Sequence, residues 1–353
     1  MTATTDPIRR PRPATWIRRF AAVGAVVALL VACTDAESSE TDTADPGRLD
    51  TELDDVEIEP PPPLPDIDED GSVDAGTVLV HGLTPGERGL HALTAGDPDA
   101  SRSTVPLGDY DGANAPVVAP DGSTLAAVAW PRGSGEIAHV LVVGNLEDGF
   151  EELVVDDELD MWCVQWFPDG ERLLLTAFVE ESYSPRLLEV DLDGEITEHS
   201  VDPGRYDCAI PLGGDEVLLT YIGIGTDIQG VARADLSTGA AELFYMKLGC
   251  MIYGGGISPD GAALLTAAAC DDPSDSGLHL VDLDTGEDEQ VLAGPVAFPA
   301  WSPTGDWIVF GLYPDLDSSE STIWAIRLDG SGFRPIDEEP GAQPAWLGSV
   351  IDP

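Results

Sequence analysis

Lysine is almost absent from this chain, and basic residues are scarce overall. Lys247 is the only lysine, and 16 Lys and Arg stand against 66 Asp and Glu, for a formal net charge of −50. Such a surface repels nucleic acid and anionic lipid headgroups, because both are bound through Lys and Arg against phosphate. The acidity indicates a highly soluble surface or, alternatively, recognition of a cationic partner.

The sequence also lacks an apolar run of about 20 residues, the length that a membrane-spanning helix needs. Its longest uncharged apolar stretch, residues 20–31, follows an arginine-rich start and has the length of a signal-peptide core. Residues 30–33, Leu-Val-Ala-Cys, resemble the bacterial lipobox, which implies cleavage after residue 32 and lipidation of Cys33. An ordinary signal peptide is the alternative. Arg18-Arg19 also suggests a twin-arginine export signal, but the rest of that motif is missing, so this interpretation is not favoured.

Motifs for catalysis are missing as well. The chain has no Gly-x-Ser-x-Gly nucleophile elbow and no Cys-x-x-Cys, and its five histidines are scattered along the sequence. His91 and His279 occupy similar repeat positions, which favours a structural role. We therefore predict no catalytic residues and no cofactor, although paired carboxylates cannot be assigned among so many acids.

Residues 33–75 read as a disordered, acidic and proline-rich tether that carries Pro60 to Pro63 in succession. Near its end, Asp66, Asp68, Asp70 and Asp74 match the first ligand positions of a calcium loop, with Gly71 at the turn. The twelfth position is Thr77 instead of the bidentate Glu, and no helix pattern flanks the loop. Calcium binding and a plain acidic linker both remain open.

Residues 76–353 repeat with a period of about 45. Pro-Asp-Gly occurs at 120–122, 168–170 and 259–261, with a near copy at 303–305 and a degenerate one at 212–214. The glycines lie 48, 44, 47 and 44 residues apart, a period typical of propellers and solenoids. Proline fixes φ, Asp bonds its own backbone and Gly accepts positive φ, so each motif predicts a tight hairpin between apolar strands.

A second hairpin follows each first one by about 25 residues, as in Leu283-Asp284-Thr285-Gly286. Two hairpins make one four-stranded propeller blade. Pro344-Ala345-Trp346 repeats Pro299-Ala300-Trp301, but the chain ends before a second hairpin, whereas residues 76–108 lack a good first strand. The pattern predicts an all-β, six-bladed propeller of four-stranded antiparallel blades, closed by the C-terminal strand joining the N-terminal blade.

Residues 300–310, Ala-Trp-Ser-Pro-Thr-Gly-Asp-Trp-Ile-Val-Phe, and 257–261, Ile-Ser-Pro-Asp-Gly, resemble the TolB-type, WD-like propeller repeat. The resemblance covers about residues 76–350. It implies a six-bladed propeller in the cell envelope, often a protein-interaction platform. TolB itself has an extra α/β domain where this chain has its tether, so the partners of TolB are not carried over.

Four cysteines follow Cys33, an even number that suggests two disulfides in an exported protein. Cys250 and Cys270 straddle the 259–261 hairpin symmetrically, and Cys163 and Cys208 lie on the first strands of consecutive repeats. We predict the pairs Cys163–Cys208 and Cys250–Cys270. Four buried free thiols are the alternative.

Three aromatic residues precede the first strands of their repeats and could lie near the mouth of the channel, where propellers usually bind: Trp162, Tyr206 and Tyr253. Packing between blades is the alternative. We expect a monomer on the extracytoplasmic face of the membrane, held by lipid alone, that binds an unidentified envelope protein or small ligand. An envelope enzyme acting on sugar or peptide in the channel and a purely structural lipoprotein are the competing hypotheses.

Overall fold

The computed structural model describes residues 63–68, 76–82, 89–95, 102–132, 139–155, 159–179, 185–201, 206–222, 229–315, 318 and 320–348. These residues form 24 β-strands in six four-stranded antiparallel sheets. In the described residues no helix is long and apolar enough to cross a membrane. Cys33 and the rest of residues 1–62 lie outside the described part.

The six sheets follow each other along the chain as blades. Blade 1 contains β1 (Gly76–Gly82), β2 (Gly89–Ala95) and β3 (Ser103–Thr104), and blade 2 contains β4 (Tyr110–Val118), β5 (Leu125–Pro131), β6 (Val140–Asn145) and β7 (Gly149–Val155). Blade 3 contains β8 (Leu159–Trp166), β9 (Arg172–Val179), β10 (Pro185–Asp191) and β11 (Ile196–His199). Blade 4 contains β12 (Tyr206–Gly213), β13 (Glu216–Ile222), β14 (Gln229–Asp235) and β15 (Ala241–Met246).

Blade 5 contains β16 (Cys250–Ile257), β17 (Ala263–Cys270), β18 (Gly277–Asp282) and β19 (Asp288–Ala293), with a short 3-10 helix at Pro273–Asp275. Blade 6 contains β20 (Val296–Trp301), β21 (Trp307–Leu312), β22 (Thr322–Arg327) and β23 (Arg334–Asp337). The last strand, β24 (Gly341–Leu347), pairs antiparallel with β1 and completes blade 1. The predicted six-bladed fold and its closure by the C-terminal strand are therefore confirmed.

The strands β4, β8, β12, β16, β20 and β24 each lie at one edge of their blade and contact one another in ring order. We call them the inner strands. The apolar core lies between the blades, in six clusters, one at each interface. On β5, Leu125 and Ala127 face blade 1 while Ala126 and Val128 face blade 3, so the two-residue period of the strand buries both faces.

The Pro-Asp-Gly hairpins have the chemistry that the sequence predicts. In the first one, Oδ1 of Asp121 accepts hydrogen bonds from the N–H groups of Ser123 and Thr124, both at 2.7 Å. Gly122 has φ 76° and donates its N–H to the carbonyl of Ala119 at 2.9 Å. The repeat also links blades, because the Trp166 indole donates to the Val117 carbonyl at 3.3 Å in the preceding blade.

The structure forms both predicted disulfides. Cys163–Cys208 joins the inner strands of blades 3 and 4, and its cysteines are 45 residues apart; we call it the inter-blade disulfide. Cys250–Cys270 joins directly paired residues of β16 and β17 and is the intra-blade disulfide.

Six residues of the expected tether are described, and they lie against the propeller. The N–H of Asp68 donates to the carbonyl of Phe333 at 3.0 Å, and Leu64 lies beside Gly294. The tether therefore reaches the propeller at the flank of blades 5 and 6.

Candidate functional site

The inner strands offer side chains to solvent only around the axis of the ring. Both faces of each blade are covered by its neighbours, so an exposed side chain on an inner strand must open toward the axis or the end of the channel. The inner strands all run in the same direction, and we call the end at which they begin the axial opening. It is the end at which the inter-blade connections arrive.

A bulge in β8 turns Trp162 out of the core. The register with β9 shifts between Met161 and Cys163, so Trp162 has no partner in the ladder. Met161 and Cys163 are 2% and 8% exposed, whereas Trp162 is 41% exposed. A bulge inserts one extra residue and redirects its side chain, which explains how an indole comes to face solvent inside a buried strand.

Blade 4 has a bulge of the same kind in its inner strand, β12. The register of β12 with β13 shifts between Tyr206 and Cys208, and Asp207 is the extra, exposed residue. Cys163 and Cys208 form the inter-blade disulfide with their Cα atoms 5.4 Å apart. Trp162 and Asp207 each precede one of these cysteines, so they occupy matching positions on adjacent inner strands.

Blade 2 presents a third redirected residue. The register of β4 with β5 shifts between Tyr110 and Gly112, which leaves Asp111 exposed. Counted along the paired second strand from the Pro-Asp-Gly-type hairpin, this bulge lies two residues farther from the hairpin than those of blades 3 and 4, or about 7 Å nearer the opening.

The remaining blades contribute half-buried residues. Phe298 in blade 6 and Gln343 in blade 1 have φ 52° and 51°, and among the described residues they are the non-glycine positions in the left-handed region. They lie 45 residues apart at register shifts of β20 and β24. Strained backbone of this kind costs stability and concentrates at functional sites. Tyr253, which lies 45 residues before Phe298, is the half-buried residue of blade 5. It keeps a regular partner in the ladder, Ala267, and part of its ring packs against the cluster between blades 5 and 6.

Each blade thus places one side chain around the axis near the opening. We call this set the axial ring, and its members are Asp111, Trp162, Asp207, Tyr253, Phe298 and Gln343.

The phenol of Tyr253 stays neutral. Burial raises the pKa of Tyr253 to about 12, with smaller contributions from Tyr313 and the carboxylate of Asp207. The hydroxyl lies 3.8 Å from the sulfur of Met251. Tyr253 therefore lies within reach of the charge of Asp207 and carries no charge itself, while its ring packs against the core between blades 5 and 6.

The third predicted aromatic residue has a different environment. Tyr206 is 6% exposed and packs in the cluster between blades 3 and 4. Burial raises its pKa to about 12, aided by the charge of Glu198. Of the three residues proposed from the sequence, Trp162 is exposed, Tyr253 is half-buried and also packs between blades 5 and 6, and Tyr206 lies in the core between blades 3 and 4.

Histidine side chains of the propeller are engaged in the fold. His279 is buried, with Nδ1 2.8 Å from the Asp288 carboxylate and Nε2 3.0 Å from the Asp275 carbonyl. His199 contacts Glu189 at 3.0 Å, and His139 lies 3.3 Å from Asp160. These contacts match the structural role that the repeat positions suggest.

The acidic segment before β1 contains the four aspartates of the predicted calcium loop. Asp66 and Asp68 are described, but Asp70 and Asp74 lie outside the described residues, so the calcium hypothesis stays a prediction. Within the described part of the chain, no three His, Cys, Asp or Glu side chains are grouped to hold a metal ion.

Solved structures share this fold. TolB from Acinetobacter baumannii is 19% identical with a TM-score of 0.61, and the match covers 78% of this chain and 67% of that one. A putative TolB from Agrobacterium tumefaciens is 15% identical with a TM-score of 0.52, covering 77% and 92%. An oligogalacturonate lyase from Vibrio parahaemolyticus is 14% identical with a TM-score of 0.50, covering 76% and 83%. No protein-family model and no curated protein matches the sequence.

These likenesses establish a TolB-like six-bladed propeller and nothing finer, because fold does not fix function. Sequence reasoning missed Asp111, Asp207, Phe298 and Gln343 as members of the axial ring. For Asp207, Phe298 and Gln343 the available signal was a spacing of 45 or 46 residues to the preceding member of the ring, whereas Asp111 lies 51 residues before Trp162 and had no such signal. A bulge that exposes one of these side chains leaves no mark in the sequence.

Proposed function

We propose that this protein is a lipid-anchored, extracytoplasmic binding platform of the cell envelope that takes its ligand, without catalysis, at the axial opening. The signal sequence and Cys33 would supply the anchor, and residues 33–75 would hold the propeller off the membrane. The likeness in fold to TolB structures supports a propeller that serves binding.

The observation that carries the proposal is the axial ring itself. A propeller needs apolar residues between its blades, but nothing in its stability requires an exposed indole on an inner strand. Trp162 is 41% exposed although residues on both sides of it are buried. Aromatic side chains with a polar neighbour are the residues that most often anchor a partner.

Binding without catalysis is supported by the way the described histidines are used. The imidazoles of His139, His199 and His279 contact carboxylates of the fold, so they serve packing and hydrogen bonding in the blades. An envelope enzyme with its site in the channel remains the competing function.

A crosslinking pull-down from native envelopes tests the platform. The bait is the lipidated full chain, and the controls are residues 1–75 alone and the full chain with Cys33→Ser. We expect a protein that is captured by the full chain and not by residues 1–75, and we expect Cys33→Ser to move the bait from the membrane fraction to the soluble one. If residues 1–75 capture the same proteins as the full chain, the propeller is not the platform. If Cys33→Ser leaves the bait in the membrane fraction, the lipid anchor is wrong.

A further inference from the structure

The axial ring places an exposed indole between two exposed carboxylates. Asp111, Trp162 and Asp207 come from blades 2, 3 and 4, and each is the extra residue of a bulge in its inner strand. Three consecutive blades therefore use the same backbone irregularity to turn one side chain each away from the core. Their chemistry alternates around the ring as acid, aromatic, acid.

The backbone places Trp162 and Asp207 at neighbouring positions on adjacent inner strands. Trp162 and Asp207 flank the inter-blade disulfide, whose Cα atoms are 5.4 Å apart. Asp111 lies about 7 Å nearer the opening by its register. A side chain that enters along the axis would pass Asp111 first and then meet the ring of Trp162 beside Asp207.

An indole face attracts cations through its quadrupole, and a carboxylate adds charge and hydrogen-bond acceptors. Guanidinium suits this combination because it stacks flat on an aromatic ring while its N–H groups reach a carboxylate. An anionic ligand would meet two carboxylates in a chain of net charge −50, and an apolar ligand would bury them at a cost.

We infer that the axial opening receives a cationic side chain, arginine or lysine, of a partner polypeptide, stacked on Trp162 and paired with Asp207, with Asp111 attracting it at the entrance. This inference rests on the proposed function and specifies the chemistry of its ligand. The net negative charge of the chain is consistent with this inference, because a strongly negative surface raises the association rate with a basic partner.

The test titrates labelled pentapeptides into the lipidated full chain in detergent micelles and measures fluorescence anisotropy at about 0.15 M salt, where long-range attraction is screened. The probes are capped Gly-Gly-X-Gly-Gly peptides with arginine, lysine, citrulline or glutamate at X. Citrulline keeps the shape of arginine without its charge. We expect arginine or lysine to bind at least about tenfold more tightly than citrulline or glutamate.

Variants locate the binding. Trp162→Ala and Asp207→Asn should each weaken the cationic peptide about fivefold to tenfold. Asp193→Asn is the matched control, because Asp193 is exposed on the β10–β11 hairpin and the substitution removes the same charge. It should change affinity less than about twofold. All three side chains are exposed, so the variants should fold, and circular dichroism and melting confirm this.

Two results overturn the inference: citrulline or glutamate peptides that bind as tightly as arginine and lysine, or an Asp193→Asn effect as large as that of Asp207→Asn. The pull-down separates this failure from that of the platform. A partner captured through the propeller, yet unaffected by Trp162→Ala and Asp207→Asn, would leave the platform standing and remove its cationic ligand. If cationic peptides bind at the opening but the pull-down captures no partner that depends on the propeller, the cationic site stands and the platform fails.

Discussion

Arg102 fastens the two ends of the ring, and its removal is the most informative test of the fold. Its guanidinium pairs with the carboxylate of Asp337 through Nε and donates to the carbonyls of Pro340 at 3.0 Å and Glu339 at 2.7 Å. Arg102 directly precedes β3 of blade 1, and its three partners lie at the end of blade 6 and in the connection to β24. One side chain thus spans the junction where the ring closes.

The magnitude follows from burial. The side chains of Arg102 and Asp337 are 7% and 8% exposed, so Arg102→Ala would leave a buried carboxylate without its cation. Breaking such a pair costs about 3–5 kcal/mol. For a large single domain this lowers the melting temperature by roughly 6–20 °C. Arg102→Lys keeps the positive charge but loses the planar set of N–H donors of the guanidinium, so we expect the free energy of unfolding to fall by less than in Arg102→Ala.

Guanidinium chloride unfolding of the oxidised protein measures the loss, with Arg186→Ala as the matched control. Arg186 pairs with Glu198, but these side chains are 33% and 50% exposed, and such a pair contributes less than about 1 kcal/mol. Equal free energies of unfolding for Arg102→Ala and Arg186→Ala would refute the reasoning that ring closure depends on this buried pair.

Three further predictions concern the blades. Gly255→Ala should lower the free energy of unfolding by about 1–3 kcal/mol or more. The added Cβ would lie only 2.6 Å from Cγ of Pro299 and 2.7 Å from the carbonyl oxygen of the same residue. A variant as stable as the wild type would contradict the packing of blades 5 and 6. Replacing both cysteines of the inter-blade disulfide by serine should lower the free energy of unfolding by about 4 kcal/mol, and the same change at the intra-blade disulfide by about 3 kcal/mol. The difference arises because the cysteines are 45 and 20 residues apart, and the longer loop restricts the unfolded chain more. The reverse order in chemical unfolding would contradict this explanation. Hydrogen bonds from the Ser258 hydroxyl and the Ala262 N–H hold the pKa of Asp260 below its usual 3.8, so the stability that this carboxylate contributes is present above about pH 4 and is lost as the pH falls through its folded pKa. The melting temperature of Asp260→Ala should lie below that of the wild type at pH 7, and the difference should shrink as the pH is lowered below about 4. A difference that stays constant down the acid series would be contrary evidence.

The blades could be predicted from the sequence because their determinants are local and repeated. Each Pro-Asp-Gly turn fixes a hairpin through its own φ preferences and side-chain bonds, and five copies at a near-constant period leave few other folds. Ring closure could be predicted as well, since Trp346 repeats Trp301 and so marks a first strand, whereas residues 76–108 lack one. Both disulfide pairs could be proposed because the repeat aligns their cysteines.

The axial ring could be predicted only in part. Exposure of Trp162 and Asp207 depends on a bulge that shifts the register by one residue, and nothing in the sequence distinguishes Trp162 from a tryptophan packed between blades. Tyr206 was predicted at the channel mouth but is buried, because the bulge exposes the next residue, Asp207, instead. The Arg102–Asp337 pair joins residues 235 apart and depends on how the ring closes, so it has no local signal.

A photo-crosslinking amino acid that replaces Trp162 shows whether a partner binds at the axial opening. The lipidated full chain is irradiated in intact envelopes, and the same photo-crosslinker at Leu328, a partly exposed residue at the β22–β23 hairpin, serves as the control. We expect a discrete crosslinked protein from position 162 that is absent from position 328. Equal crosslinking at both positions, or crosslinking at 328 alone, would contradict it.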